Sequence, residues 1–168
     1  FLHKKISEEF LSKLIKKIKL LKVGNGLKNV DLGPLISEIA VQKIESHIND
    51  ALKKGAKILT GGKRKGNKGY FFEPTVMTNV SQDSRIMNEE PFGPLAPISA
   101  FSKMEEVIQE ANRLDYGLAA YAYTNSNKQA QELGAGIESG QVSINHHGLG
   151  LVDTPFGGVK DSGYGSEG

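Results

Sequence analysis

Residues 88–94, NEEPFGP, set two carboxylates, Glu89 and Glu90, directly ahead of an aromatic ring, Phe92, and a Gly-Pro pair, with the apolar run LAPISAF behind them. Two acids can share general acid and base work across a glycosidic bond, but both must then face one reacting atom, and adjacent residues diverge. A single acid at such a place has another use, hydrogen bonding to the vicinal hydroxyls of a sugar, as acidic residues do with dinucleotide riboses. Two solvated acids ahead of a strand remain the simpler alternative. The four histidines, His3, His47, His146 and His147, show no metal-ligand spacing, and neighbours on an extended chain point to opposite faces. No metal site is expected. His146 and His147 follow a predicted strand, where loops often meet substrate, and read either as substrate-channel residues or as surface loop histidines.

The chain contains no cysteine, so it can build no disulfide, thiolate metal site or thiol nucleophile. The tip GGKRKGNKG at 61–69 lacks the order of a phosphate-binding P-loop and reads as an exposed loop. A net charge of +2 with 24% charged residues gives no reason to expect nucleic acid as a partner. No apolar run approaches the roughly 18 residues that span a bilayer, and the N-terminus shows no signal-peptide pattern. The expectation is a soluble cytoplasmic protein with neither membrane nor nucleic-acid partner. With 168 residues it has enough chain for one domain, or part of one, and it begins at Phe1 instead of a methionine, so either residues are missing upstream or this is a processed or truncated product.

The elements that must position these residues follow from periodicity. Residues 7–22 place Phe10, Leu11, Leu14, Ile15 and Ile18 on one helical face, with Ser7 as N-cap and GNG at 24–26 as the stop. Seven lysines between positions 4 and 22 line the other face. A second helix over 37–54 starts at Ser37, turns Val41, Ile44, Ile48, Ala51 and Leu52 inward, and ends at Gly55. AKILTGG, YFFEPTVMTNV, LAPISAF, GLAAYAYTN and QVSIN read as strands or extended segments. Helices from about 102, with Ser102 and Glu105 as a capping box, and over SNKQAQEL lie between them. This alternation predicts an α/β layered fold, a largely parallel sheet with helices on its faces, and functional loops at the strands' carboxyl ends. The last 35 residues hold ten of the twenty glycines in no repeating order, which predicts an ordered loop with close backbone approaches.

EEPFGP at 89–94, YGLAAYAYT at 116–124, GQVSIN at 140–145 and PFGGVKDSGYG at 155–165 occur in the order and at the spacing of the aldehyde dehydrogenase superfamily, which the chain resembles. The likeness extends through GPLIS at 33–37 to the first helix, and covers the carboxyl-terminal third or so of such an enzyme. The ending INHHGLG to PFGGVKDSGYGSEG looks most like the succinate-semialdehyde branch. The resemblance implies part of the catalytic domain, without the Rossmann-type cofactor domain. It also implies NAD or NADP as cofactor, a small-molecule aldehyde as substrate and a homo-oligomeric parent. By the same resemblance Glu90 matches the acid on the nicotinamide ribose, Phe92 the aromatic beside the nicotinamide, and Lys43 and Leu118 weaker cofactor contacts. Phe156 matches a wall of the aldehyde pocket, and Asn145 to Phe156, with His146 and His147, the loop at the substrate entrance.

In that family a cysteine thiolate attacks the aldehyde, hydride passes to NAD(P), and a glutamate activates the water that releases the acid. The resemblance places both groups upstream of Phe1, so no catalytic residue is expected here and the chain alone is expected to be inactive. Ser166 stands where an arginine is common, and the chain stops at Gly168, before the family's terminal strand; both departures argue against stable oligomerisation of this stretch alone. The alternative is a non-catalytic remnant whose lysine-rich first helix serves as an interaction surface.

Overall fold

Val41, Ile44, Ile48 and Ala51 recur at intervals of three and four residues, one face of an α-helix, and in the computed structural model, which describes residues 1–167, all four are buried. They lie on α2 in the first of two compact units, Phe1–Ser102, which runs β1 (Leu2–His3), α1 (Lys4–Ile18), α2 (Glu38–Lys53), β2 (Lys57–Thr60), β3 (Thr75–Thr78), a 3₁₀ turn (Arg85–Met87), β4 (Leu95–Ile98) and β5 (Ala100–Phe101). The second unit starts at Lys103 and holds α3 (Met104–Ala111), β6 (Tyr116–Gly117), β7 (Ala119–Ala122), α4 (Asn127–Gly136), β8 (Gln141–Ile144) and β9 (Val159–Lys160). The ending at Gly168 lies outside the described residues.

In the first unit β2, β3 and β4 form a sheet in that order, antiparallel between β2 and β3 and parallel between β3 and β4, where Thr75 pairs with Leu95 and Thr78 with Ile98. The α2 stripe shares one core with Phe72, Met77, Val80 and Ile86, and Leu35, Ile58 and Leu95 pack at its margin. Ser37 caps α2 by accepting a hydrogen bond from the Ala40 N–H, and Gly55 follows at φ 95°, in the left-handed region that suits glycine after a helix. Leu52, expected inward, is 41% exposed, because it lies one position beyond the stripe that ends at Ala51. The tip at 61–69 is the exposed loop expected, and it is fastened down. Arg64 donates to both Glu38 and Glu45 of α2, and Lys65 donates to the Val23 carbonyl at 3.0 Å, so two of its cations fasten it to the unit.

Two expected caps are absent. α1 starts at Lys4 with His3 as N-cap, its Nδ1 accepting from the Lys5 N–H, so Ser7 lies inside the first turns and donates to the Lys4 carbonyl. α3 starts at Met104, which makes Lys103 the N-cap and puts Ser102 one residue too early to close a capping box with Glu105. No residue of α1 is fully buried in this unit, and Phe10 remains 43% exposed.

In the second unit β7 and β8 pair in parallel across the connection through α4, with Ala119 opposite Gln141 and Ala122 opposite Ile144, and β6 pairs antiparallel with β9. Ser126 caps α4 by accepting from the Gln129 N–H. The whole is the mixed α/β arrangement with parallel strand pairs that the alternation of elements predicted.

Candidate functional site

The two acids of NEEPFGP part company. Glu89 turns inward: Arg85 donates to it through Nε at 2.8 Å and Nη2 at 2.9 Å, and its Oε2 lies 3.2 Å from Nε2 of His47. Glu90 is exposed, and no described residue hydrogen-bonds its side chain. Adjacent residues diverge, which counted against a two-carboxylate reaction, and here Glu89, whose N–H still bonds the Arg85 carbonyl at 2.7 Å, is tied down while Glu90 is free.

The tie involves four residues from two elements. His47 lies on the inner stripe of α2 and is 0% exposed, while Arg85 opens the 3₁₀ turn. The Arg85 guanidinium also donates to Ser46 Oγ, and the Arg85 backbone N–H donates to Asp50 Oδ2 at 2.7 Å. Arg85 first, and His47 second, hold the Glu89 carboxyl down from its ordinary 4.5 to about 2. A depressed acid stabilises the fold fully above its unfolded value and loses that contribution as pH falls through the folded value. Glu89→Gln is therefore expected to lower stability at pH 7, with the gap to wild type shrinking between pH 4.5 and about 2 and closing below. Denaturant titrations at pH 7, 4 and 2 check this; an undiminished gap at pH 2 would assign the loss to something other than the ionised bridge.

Phe92 projects outward, 72% exposed, and Gly93 behind it lies so close to α2 that a Cβ there would fall 2.6 Å from Ile44 Cδ1. Lys43 is exposed on α2 one turn before His47. The helix that carries Lys43 thus also sets the backbone of 89–93, from His47 at one end and Ile44 at the other. The loop enters β4 at its amino end, not at a carboxyl end as the layered α/β rule predicted, because the chain from β3 returns through the 3₁₀ turn to start a parallel neighbour. A recess beside the loop is lined by Leu32, Pro34, Leu35, Phe72 and Gly93, and none of Lys43, Glu90 or Phe92 lines it.

The remaining candidates belong to the second unit. Leu118 is 44% exposed between β6 and β7. Asn145 adopts φ 58° just past β8, and its side-chain amide pairs with the backbone of Thr124 in both directions, at 2.9 Å each. It closes the β7–β8 ladder and turns the chain outward, so both ends of its amide are engaged. The buried Ser143 hydroxyl donates to the His146 carbonyl at 2.9 Å. His146 Nδ1 accepts from the Gly148 N–H at 2.8 Å, and His147 Nε2 lies 2.8 Å from the Tyr123 hydroxyl; both rings are exposed. Phe156 is half-buried and exchanges two backbone hydrogen bonds of 2.7 Å with Glu167, which closes the 156–167 loop. Lys43, Glu90 and Phe92 are thus grouped in one unit, and Leu118, Asn145, His146, His147 and Phe156 in the other.

His47 and Arg85 escaped the reading of the sequence as site residues. Each left a signal: His47 falls three residues after Ile44 and four before Ala51, on the apolar stripe, and Arg85 precedes Glu89 by four.

Against known proteins, the model described as the aldehyde dehydrogenase family matches residues 1–168. The chain belongs to the aldehyde dehydrogenase family. It is 48% identical over 161 residues to a probable NADP+ succinate-semialdehyde dehydrogenase of Sinorhizobium fredii, which covers 95% of this chain and 33% of that protein. It is 46% identical over 165 residues to the mitochondrial succinate-semialdehyde dehydrogenase of Rattus norvegicus, covering 97% and 32%. Among solved structures, the succinate-semialdehyde dehydrogenase of Burkholderia pseudomallei superimposes with a TM-score of 0.96 at 46% identity, over 99% of this chain and 35% of that one. A betaine aldehyde dehydrogenase of Staphylococcus aureus in complex with NAD+ gives 0.90 at 38%, over 98% and 34%. The chain spans about a third of the length of the aldehyde dehydrogenases it matches.

Proposed function

We propose that these residues form the rear part of the catalytic domain of an NAD(P)-dependent aldehyde dehydrogenase, cytoplasmic and homo-oligomeric, that oxidises a small aldehyde with an anionic end, succinate semialdehyde in the first instance. The observation that carries the reading is the free, exposed carboxylate of Glu90 beside an anchored neighbour. A carboxylate with no protein partner suits vicinal hydroxyls, and the exposed Phe92 ring two residues on suits a flat heterocycle. Lys43, exposed on α2, adds a cationic contact in this reading. These groups fit a nicotinamide nucleotide, which when bound supplies the hydride acceptor.

This chain's own part is positioning. Glu90 holds the ribose and Phe92 limits the freedom of the ring. The loop from Asn145 to Phe156 borders the aldehyde, with Phe156 as a wall and the free nitrogens of His146 and His147 as the polar groups nearest its anionic end. The names of the relatives support an anionic aldehyde: besides the succinate-semialdehyde enzymes, a 3-sulfolactaldehyde dehydrogenase of Pseudomonas putida is 44% identical over 164 residues. The nucleophile and the water-activating base come from residues outside these 168, which include no cysteine.

The test compares the full-length enzyme, its Glu90→Gln variant and the 168-residue chain, each with NAD+ or NADP+ and succinate semialdehyde. Removing a hydrogen-bonding charge costs about 1.5–3 kcal/mol, so Glu90→Gln is expected to raise the cofactor KM or lower the hydride-transfer rate by about 10- to 100-fold. The isolated chain is expected to form no NADH or NADPH. Unchanged hydride-transfer kinetics in Glu90→Gln, or sustained turnover by the chain alone, would overturn the reading.

A further inference from the structure

His47 is the one fully buried histidine, and half of it is unsatisfied: among the described residues nothing hydrogen-bonds Nδ1. An orphaned buried nitrogen is costly, and the neighbouring stripe positions show that an aliphatic residue packs there without that cost. What the imidazole has that an aliphatic residue lacks is Nε2, 3.2 Å from Glu89 Oε2. Arg85 holds Glu89 as a carboxylate, which can only accept, so Nε2 carries the hydrogen and donates. The carboxylate is thereby clamped by His47 from a core helix and by Arg85 from the 3₁₀ turn, and Arg85 is itself fixed by Ser46 and Asp50 of the same helix. One peptide unit further on is Glu90.

We infer that His47 is a positioning residue for the cofactor: acting through the Glu89 carboxylate, it sets the backbone from which Glu90 reaches the ribose hydroxyls. The inference rests on the reading of Glu90 proposed above. It makes α2 a ruler for the cofactor site, since the same helix carries Lys43 one turn earlier and abuts Gly93 through Ile44. Clamping one acid removes backbone freedom that ligand binding would otherwise have to restrict, so the loop is ordered before the cofactor arrives.

The experiment uses the full-length enzyme and measures NADH and NADPH affinity by fluorescence, together with KM for cofactor and aldehyde. His47→Leu is expected to weaken cofactor binding about tenfold, the equivalent of one charge-assisted hydrogen bond, with the aldehyde KM changed less than about twofold. His47→Gln, which returns a side-chain N–H, is expected to recover most of the loss. The double variant His47→Leu with Glu90→Gln is expected to bind no worse than Glu90→Gln alone, because the first residue acts through the second. Should His47→Leu fail to fold, Glu89→Gln at a half-exposed position carries the same test. If Glu90→Gln weakens binding while His47→Leu and Glu89→Gln bind like wild type, or if the double variant is additive, His47 serves packing alone and the inference falls. If Glu90→Gln itself binds cofactor like wild type, the underlying reading of Glu90 falls, and this one with it.

Discussion

Gly140→Ala is expected to be among the most destabilising single substitutions in the second unit. A Cβ at 140 would lie 1.7 Å from the Gly157 carbonyl oxygen, 2.8 Å from its carbon and 3.2 Å from Gly158 Cα. All three obstacles are backbone, so no side chain can rotate away and the two chain segments must separate. Overpacking of this kind costs typically about 1–3 kcal/mol, and a contact with rigid backbone belongs at or above the top of that range. The segment pushed aside is the one that carries Phe156, so loss of stability should come with faster amide exchange at 156–158 and, in the full-length enzyme, a raised aldehyde KM. Gly134→Ala is the control: it lies within α4, a Cβ there meets nothing within 4 Å, and alanine is favoured over glycine in a helix by about 0.5–1 kcal/mol. A Gly140→Ala melting temperature equal to wild type would show that the close approach is not a constraint.

Ile44→Ala is expected to lower stability by about 2–5 kcal/mol, the range for emptying a buried aliphatic site. Ile44 is 1% exposed in the main core, and it also props the loop of the two acids, because Gly93 rests against its Cδ1 and Cγ1. Gly93→Ala on its own would drive a Cβ to 2.6 Å and 2.9 Å from those atoms, with Leu35 Cδ2 at 3.4 Å on the other side, and should itself be destabilising. Combined, the two changes should partly cancel, since the alanine methyl at 93 enters the space Ile44 vacates. Contacting residues couple by about 0.5–3 kcal/mol, and here the sign is that the double variant is more stable than the sum of the singles. Denaturant titration of the three variants measures it; strict additivity would mean that Gly93 is glycine for some other reason.

These expectations show what could be read in advance and what could not. α2 was legible almost to the residue, because a four-turn amphipathic helix with a serine before it and a glycine after it repeats one message at every level. α1 and α3 were legible as helices but not at their starts, since a cap is decided by one or two hydrogen bonds and several nearby polar residues compete for the role. His3 took it at α1, and at α3 the start fell at Met104, out of register with Ser102 and Glu105. The tip at 61–69 was legible as an exposed loop but its fastening was not, because the partners of Arg64 lie 26 and 19 residues away on α2, where no local pattern reveals them.

By itself the sequence determined the class of fold, the family, the absence of a cysteine and the positions of the two acids and the glycine-rich ending. These follow from residue types at short, regular separations, where periodicity, backbone sterics and motif spacing act locally. Only the tertiary structure decided which acid is tied and which is free. Glu89 and Glu90 are chemically alike and adjacent, and the choice between them was made by Arg85, which stands four residues before Glu89 and is fixed against α2, together with His47, 42 positions from Glu89 in the chain, on a helix face that burial had already oriented. It also decided that Gly140 must be glycine, because the backbone it touches belongs to a segment that returns only at Gly157. A pairing formed across such distances depends on how the elements pack, and packing is a property of the folded chain as a whole.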